Sequence, residues 1–405
     1  MDIVIRDANI AGEQRLKDIA IESGRIMEIS DRVDGRGQHE IQAQGYLVSP
    51  SFMDVHMHLD KALILDRYDW AQRQTQATRR LTSVYETNKV KPTFTVEDVK
   101  DRAIRVAKMC AVNGTTTLRT HADVDPVVGL VGIKGVIEAR EACRSFMDMQ
   151  VVANAFCGYY YENGFSAASG MERTLREAIE LGVDAVGGVT EADPNPHTHI
   201  DFIFSLAKEY GINADFHADQ TTTPPPLHIP YICEKTVNEG MQQQVLLGHC
   251  IALGHINPEE RKHAINLLKE AQLSICATPH TTIEERILQP AAGGVAATYM
   301  TDNIRDSWQA LGNGDMLQLA LFVARLGQVN TNQELDALLE MGTLGAARTI
   351  GLADEHGVQV GKRANLVIFQ AESAHEAIVS QAKKLWVLKD GNVVAKDGEL
   401  QVEPV

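Results

Sequence analysis

The sequence predicts an α/β protein: a closed (β/α)8 barrel of the TIM type carrying a small β-sandwich built from both chain ends. Three observations lead there. Strand-like runs near residues 47–56, 114–121, 149–157, 183–189, 213–218, 244–249, 272–278 and 297–302 alternate with amphipathic helical patterns, the signature of a parallel sheet wrapped by helices. Histidine or aspartate closes five of these runs. Both ends of the chain, by contrast, are rich in short strands and turn residues.

Residues 1–49 read as strands DIVIRDANI, DIAIESGRIMEIS and EIQAQGYLVS, separated by Ser23-Gly24 and Asp34-Gly35. Residues 355–405 repeat that character, with strand patterns in GVQVGKRANLVIFQ and KKLWVLKDGNVVAKDGEL. There Asp390-Gly391 is a hairpin signal, because this dipeptide supports the turns that hairpins favour. The expected division is therefore a β-sandwich from residues 1–49 and 355–405 around a barrel spanning 50–354. Helical periodicity is clearest in VEDVKDRAIRVAKMCAV, MERTLREAIELG, IDFIFSLAKEYG and PEERKHAINLLKEAQ. An open doubly wound sheet is the alternative, but no Gly-rich dinucleotide loop follows the first strand. The run Thr221–Pro226 reads as a stiff loop.

Composition narrows the function. With 44% hydrophobic and 23% charged residues the chain is that of an ordinary globular protein. A formal net charge of −16 argues against a nucleic-acid partner, since phosphates are held by Lys and Arg. No stretch approaches the ~18 apolar residues that span a bilayer, and the N-terminus lacks signal-peptide character. The six cysteines form no C-x-x-C pair and are expected to be reduced, buried and inert, in a cytoplasmic protein. The partners expected are a small molecule and water, with neither membrane nor nucleic acid, in a homo-oligomer.

In a barrel of this type the active site gathers at the C-terminal strand ends. The first strand ends in His56-Met57-His58; alternation along a strand puts both imidazoles on one face. A lone His-x-His is a weak signal. It gains weight because the fifth strand ends in His217 and the eighth in Asp302. Together His56, His58, His217 and Asp302 can hold one hydrolytic metal with a position left open for water. His249, ending the sixth strand, is placed to orient that water or polarise the substrate, and Asp302 to take the water's proton. His121 and Asp123 are candidates for lining the pocket or supporting the ligands, or for plain structure. Lys61 is either a proton donor or anion binder, or a surface lysine. The second His-x-His, His197 and His199, lies in a proline-rich loop and reads as capping or exposed residues.

The stretches SFMDVHMHLDK, LRTHADVD, DFHADQ, GHC, TDNIRDSW and GVQVGKRANLVIF, spread over nearly the whole chain, resemble the amidohydrolase superfamily, in particular its cytosine deaminase branch. That resemblance implies a barrel with a flanking β-sandwich and one divalent metal per subunit, zinc or iron. It makes His56, His58, His217 and Asp302 the ligands, and His249 and Asp302 catalytic. His121, Phe156, Asp219, Asn303 and Trp308 are the expected substrate contacts. A strand-four lysine that bridges two metals in other branches has no counterpart here, which favours a mononuclear site.

Two departures stand out. Where cytosine deaminases carry a proton-shuttling glutamate, this chain has Gln220, whose neutral amide cannot act as acid or base. Where they carry a substrate-binding glutamine, the alignment places Phe156. The form HxHLDK, with Lys61, is closer to relatives that remove an alkylamine from a triazine ring, so Lys61 is the candidate to replace the acid function lost at Gln220. The expected activity is deamination of an aminated nitrogen heterocycle, with N-dealkylation, cyclic amide hydrolysis or a non-catalytic barrel as alternatives.

Overall fold

The computed structural model describes residues 1–68, 79–161, 164–222 and 227–404. Most of the Thr221–Pro226 run lies outside them.

Eight parallel strands follow one another in chain order: Phe52–Met57, Thr115–Val124, Asp148–Ala155, Ala185–Val189, Asn213–Ala218, Val245–His249, Ser274–Ala277 and Ala296–Tyr299. They are buried along their length: Val245–His249 reads as a short apolar run, whereas Thr115–Val124 buries Arg119, His121 and Asp123 among its apolar residues. The sheet closes just beyond the last strand. The Asp302 N–H donates to the His56 carbonyl at 2.9 Å, and the His58 N–H donates to the Asp302 carbonyl at 3.2 Å. The seam of the barrel is thus made by three candidate site residues.

The helices form where periodicity and end signals agree. Val96–Val112 begins at Thr95, whose side chain accepts the Asp98 N–H. Pro258–Glu270 begins at Asn257, which accepts the Glu260 N–H. Pro196–Tyr210 starts four residues before the expected apolar pattern, because Pro196 is preset for a first helical position. It ends at Gly211 with φ +66°, a conformation suited to glycine.

The two chain ends assemble into one nine-stranded sheet system, four strands from the C-terminal part and five from the N-terminal part. Strand Ile3–Ile10 is shared: its first half pairs with Lys17–Glu22 and His39–Gln42, its last residues with Leu47–Pro50. The register breaks between Ile5 and Ala8, around Asp7 at φ +52°, and such a bulge lets one strand serve both layers. Ile5, Ile19, Ile21 and Ile41 from the N-terminal part pack with Leu366, Ile368 and Leu388 from the C-terminal part in one apolar cluster.

Three expectations are corrected. The run 47–56 is two strands, split after Pro50, where the chain passes from the terminal sheet into the barrel. Of residues 357–370 only Leu366–Phe369 is a strand; the preceding turns instead bond to Gly24 and Ile26. The C-terminal part also contains a helix, Ala374–Ser380, capped by Ser373, which short-strand patterning concealed. All six cysteines are buried and unpaired, as expected. No helix among the described residues is long and apolar enough to cross a membrane.

Candidate active site

At the C-terminal mouth of the barrel, His56, His58, His217 and Asp302 converge. The His58 and His217 Nε2 atoms are 3.2 Å apart, and Asp302 Oδ1 lies 3.3 Å from His58 Nε2 and 3.7 Å from His56 Nε2. All three imidazoles are buried. Burial, reinforced by the neighbouring rings and by Lys61, holds these histidines below their ordinary pKa, and so unprotonated. Burial alone would raise the Asp302 carboxyl, but His249, His58 and Lys61 hold it low. Both ring nitrogens of His56 and Oδ1 of Asp302 are buried with no hydrogen-bond partner. Buried polar atoms are rarely left so. Two overlapping triads of ligand atoms, His56–His58–Asp302 and His56–His121–His217, each gather within 4.8 Å, and unprotonated nitrogens beside an ionised oxygen are donors that fit a divalent cation.

The backbone aims these groups. Asp302, His249 and Cys250 have φ of +66°, +73° and +46°, left-handed conformations that cost side-chain-bearing residues of order 1–3 kcal/mol each. Gly248 clears the space for His56: a Cβ there would sit 2.9 Å from Cε1 and 3.0 Å from Nδ1 of that ring. From below, His121 stacks on His56 with centroids 3.9 Å apart. Its Nε2 pairs with Asp215, which also accepts from Arg119 at 3.1 Å. Arg286 donates to the His249 carbonyl at 2.9 Å.

A cavity of about 70 Å³ opens beside the cluster, lined by His58, Lys61, Phe156, Tyr160, Val189, His217, Gln220, His249, Asp302, Asn303 and Trp308. Its size suits a small ring rather than a polymer segment. Phe156 stacks on Tyr160 at 4.5 Å. Lys61 is buried, not at the surface; its Nζ lies 2.6 Å from Asp123 Oδ2. Asp123 is also held by Lys91 at 2.9 Å and by the Asn154 amide at 2.9 Å. Burial opposes its ionisation, yet Lys61 and Lys91 hold the carboxyl far below the usual range.

Three expectations change here. Asp219 does not line the cavity; with φ +50° it turns away, and its carboxylate accepts from the His228 N–H, the His228 ring and the Ile229 N–H, starting helix Ile229–Glu239. His121 lies beneath the cluster, not on the cavity wall. His199 is not exposed but fully buried, pairing with Asp193, while exposed His197 stacks on Tyr231 at 4.0 Å. Cys157 approaches the same Asp193 carboxylate, which also accepts from Ser166 Oγ and the Ala167 and Asn195 N–H groups and so ties together the loops after strands three and four.

Reading strand ends missed Lys91, Tyr160 and Glu191. Glu191, just past strand four, is buried and accepts the Gln220 N–H at 2.9 Å. Lys91 and Tyr160 stand on short 3-10 turns between regular elements, where no strand periodicity points inward.

A parallel eight-stranded barrel, a terminal sheet and a histidine–aspartate cluster at the barrel mouth are the features that place this chain among the barrel hydrolases. The amidohydrolase family model matches residues 47–396, and the chain belongs to that family; relatives are named as hydrolases and deaminases acting on carbon–nitrogen bonds. It is 33% identical to N-isopropylammelide isopropyl amidohydrolase from Pseudomonas sp. (strain ADP), over 98% of each chain. It is 26% identical to pterin deaminase from Rhizobium rhizogenes, over 86% of this chain and 80% of that one. The crystal structure of N-isopropylammelide isopropylaminohydrolase from Burkholderia multivorans superposes with a TM-score of 0.86 at 27% identity, covering 99% and 100% of the two chains.

Proposed function

We propose that this enzyme hydrolyses the bond between a ring carbon and an exocyclic amine in a small nitrogen heterocycle, releasing ammonia or an alkylamine and leaving an oxo group on the ring. The observation that carries the reading is the convergence of four unpartnered or weakly partnered donors beside a cavity walled by Phe156, Tyr160 and Trp308. The relatives support it: one is named for an alkylated triazine, another for a pterin.

His56, His58, His217 and Asp302 would hold one divalent metal. When bound, it supplies Lewis acidity that brings a water's pKa toward neutrality. Asp302, held ionised, would take the proton from the water that attacks the ring carbon. His249 stands on the same wall, its ring 5.1 Å from His217, and stabilises charge developing on the ring. Phe156 offers a stacking face. Lys61 keeps its Nζ at the cavity, and an ammonium has three hydrogens, of which Asp123 occupies one. It can therefore donate to the departing nitrogen, the role the Gln220 amide cannot fill.

The test is a screen of aminated and alkylaminated triazines, aminopyrimidines, pterins and cyclic amides for ammonia or amine release, with Asp302→Asn as the blank. Release of amine from a triazine or pterin by the wild type alone is expected. Activity confined to cyclic amides, or signal equal to the blank throughout, would overturn the reading.

A further inference from the structure

The chain between the first and second barrel strands carries a helix, Arg79–Val90, whose inner side chains reach loops from distant parts of the ring. Ser83 Oγ donates to the Ser307 carbonyl at 2.7 Å, and the Ser307 hydroxyl returns a bond to the Ser83 carbonyl at 3.0 Å. Thr87 Oγ1 lies 2.7 Å from Ser307 Oγ, and Asn88 Nδ2 donates to the Tyr160 carbonyl at 3.3 Å. Ser83, Thr87 and Ser307 are all buried, so these bonds are made away from water. Val84, 4% exposed, joins one apolar cluster with Phe156, Tyr160, Val189, Ala192 and Trp308.

Ser307 and Trp308 follow the eighth strand, Tyr160 follows the third, and Val189 ends the fourth. With eight strands ordered as in the sequence, the fourth stands opposite the eighth. A helix fastened to both sides therefore lies across the barrel mouth. Four members of the Val84 cluster, Phe156, Tyr160, Val189 and Trp308, line the cavity, so Val84 stands behind its apolar wall. The space enclosed is about 70 Å³, several-fold below the ~300 Å³ at which ligand pockets usually begin. A ring that turns its reacting carbon to His58, His217 and Asp302 fills it. Anything fused to the far edge of that ring must push the apolar wall outward, against a β-branched side chain with little rotamer freedom.

We propose that Val84, on this covering helix, is a positioning residue that limits the site to single-ring heterocycles by denying the apolar wall room to retreat. This rests on the heterocycle reading of the cavity and narrows it to one ring.

The experiment measures binding rather than turnover, on full-length metal-loaded enzyme. The two probes are isocytosine (2-aminopyrimidin-4-one) and pterin, which is the same ring with the same amino edge and a second ring fused on the far side. The wild type should bind isocytosine at least tenfold more tightly than pterin. Val84→Ala, which removes two methyl groups from behind the wall, should narrow that gap about tenfold, and Val84→Leu should widen it. Damage to the helix would weaken both rings alike and leave the ratio where it was. A ratio unmoved in both variants, or a wild type that holds pterin as tightly as isocytosine, overturns the proposal; beside amine release in the turnover screen, it overturns the size limit alone. Binding of neither ring by the wild type overturns the size limit together with the heterocycle reading. Ratios that move in opposite directions beside a failed turnover screen support the size limit while removing the reaction proposed above.

Discussion

Gly248 shows how an absent side chain can set a site. With His121 stacked on one side of the His56 ring, the ring cannot retreat from a new Cβ at 2.9 Å. Gly248→Ala should therefore lower turnover about 10²-fold, the usual cost of a displacement near 1 Å, and should lower metal content with it. Lys61→Met should behave differently. Asp123 keeps Lys91 and Asn154, so the fold and the metal content should survive while turnover is lost. Metal analysis beside steady-state rates separates the two variants, and unchanged turnover in Lys61→Met would remove Lys61 from the chemistry. At this scale the sequence was informative where a residue ends a strand: His56, His58, His217, His249 and Asp302 all reach the barrel mouth. It misled at Asp219, because a single left-handed φ reverses a side chain without leaving a mark in the strand pattern.

Among the elements, the eight barrel strands were legible because strand-like runs alternate with amphipathic helices, and burial on both faces turns some, such as Val245–His249, into short apolar runs. Helix Val96–Val112 was legible to the residue, its amphipathic pattern bounded by a Thr cap. The terminal parts were harder, since turns such as 357–365 carry strand-like composition yet bond as isolated bridges. His356, just before that stretch, is buried with Nε2 donating to the Ser51 carbonyl at 2.9 Å, at the point where the chain enters the first barrel strand. Burial depresses its pKa from 6.5 to about 4. The unfolded chain thus takes up a proton before the folded one does. Stability is complete above pH 6.5 and falls as pH drops toward 4, by about 3 kcal/mol in all from this group. Denaturant titrations of the wild type and His356→Gln over that window should show the variant losing less.

For the molecule as a whole, ion pairs join the terminal sheet to the barrel. Asp148, which begins the third barrel strand, takes Arg363 at 2.8 Å and Lys389 at 3.0 Å, and Arg363 also holds Asp390 at 2.6 Å. Because Asp148 is partly solvated, Asp148→Ala should cost only ~1 kcal/mol, read as a lower Tm with the rate at saturating substrate unchanged. A large fall in that rate would show that the junction reaches the active site.

The seam between Met57 and Asp302 has a consequence for how the chain matures. A ribosome releases the His-x-His segment roughly 250 residues before Asp302. A nascent chain therefore carries two exposed imidazoles long before the carboxylate that completes the set, and the same late arrival closes the barrel by backbone hydrogen bonds. Barrel closure and a finished cation site become one event. Fragments ending before Asp302 should hold metal no better than loose histidines do, which ties metal uptake to a complete barrel.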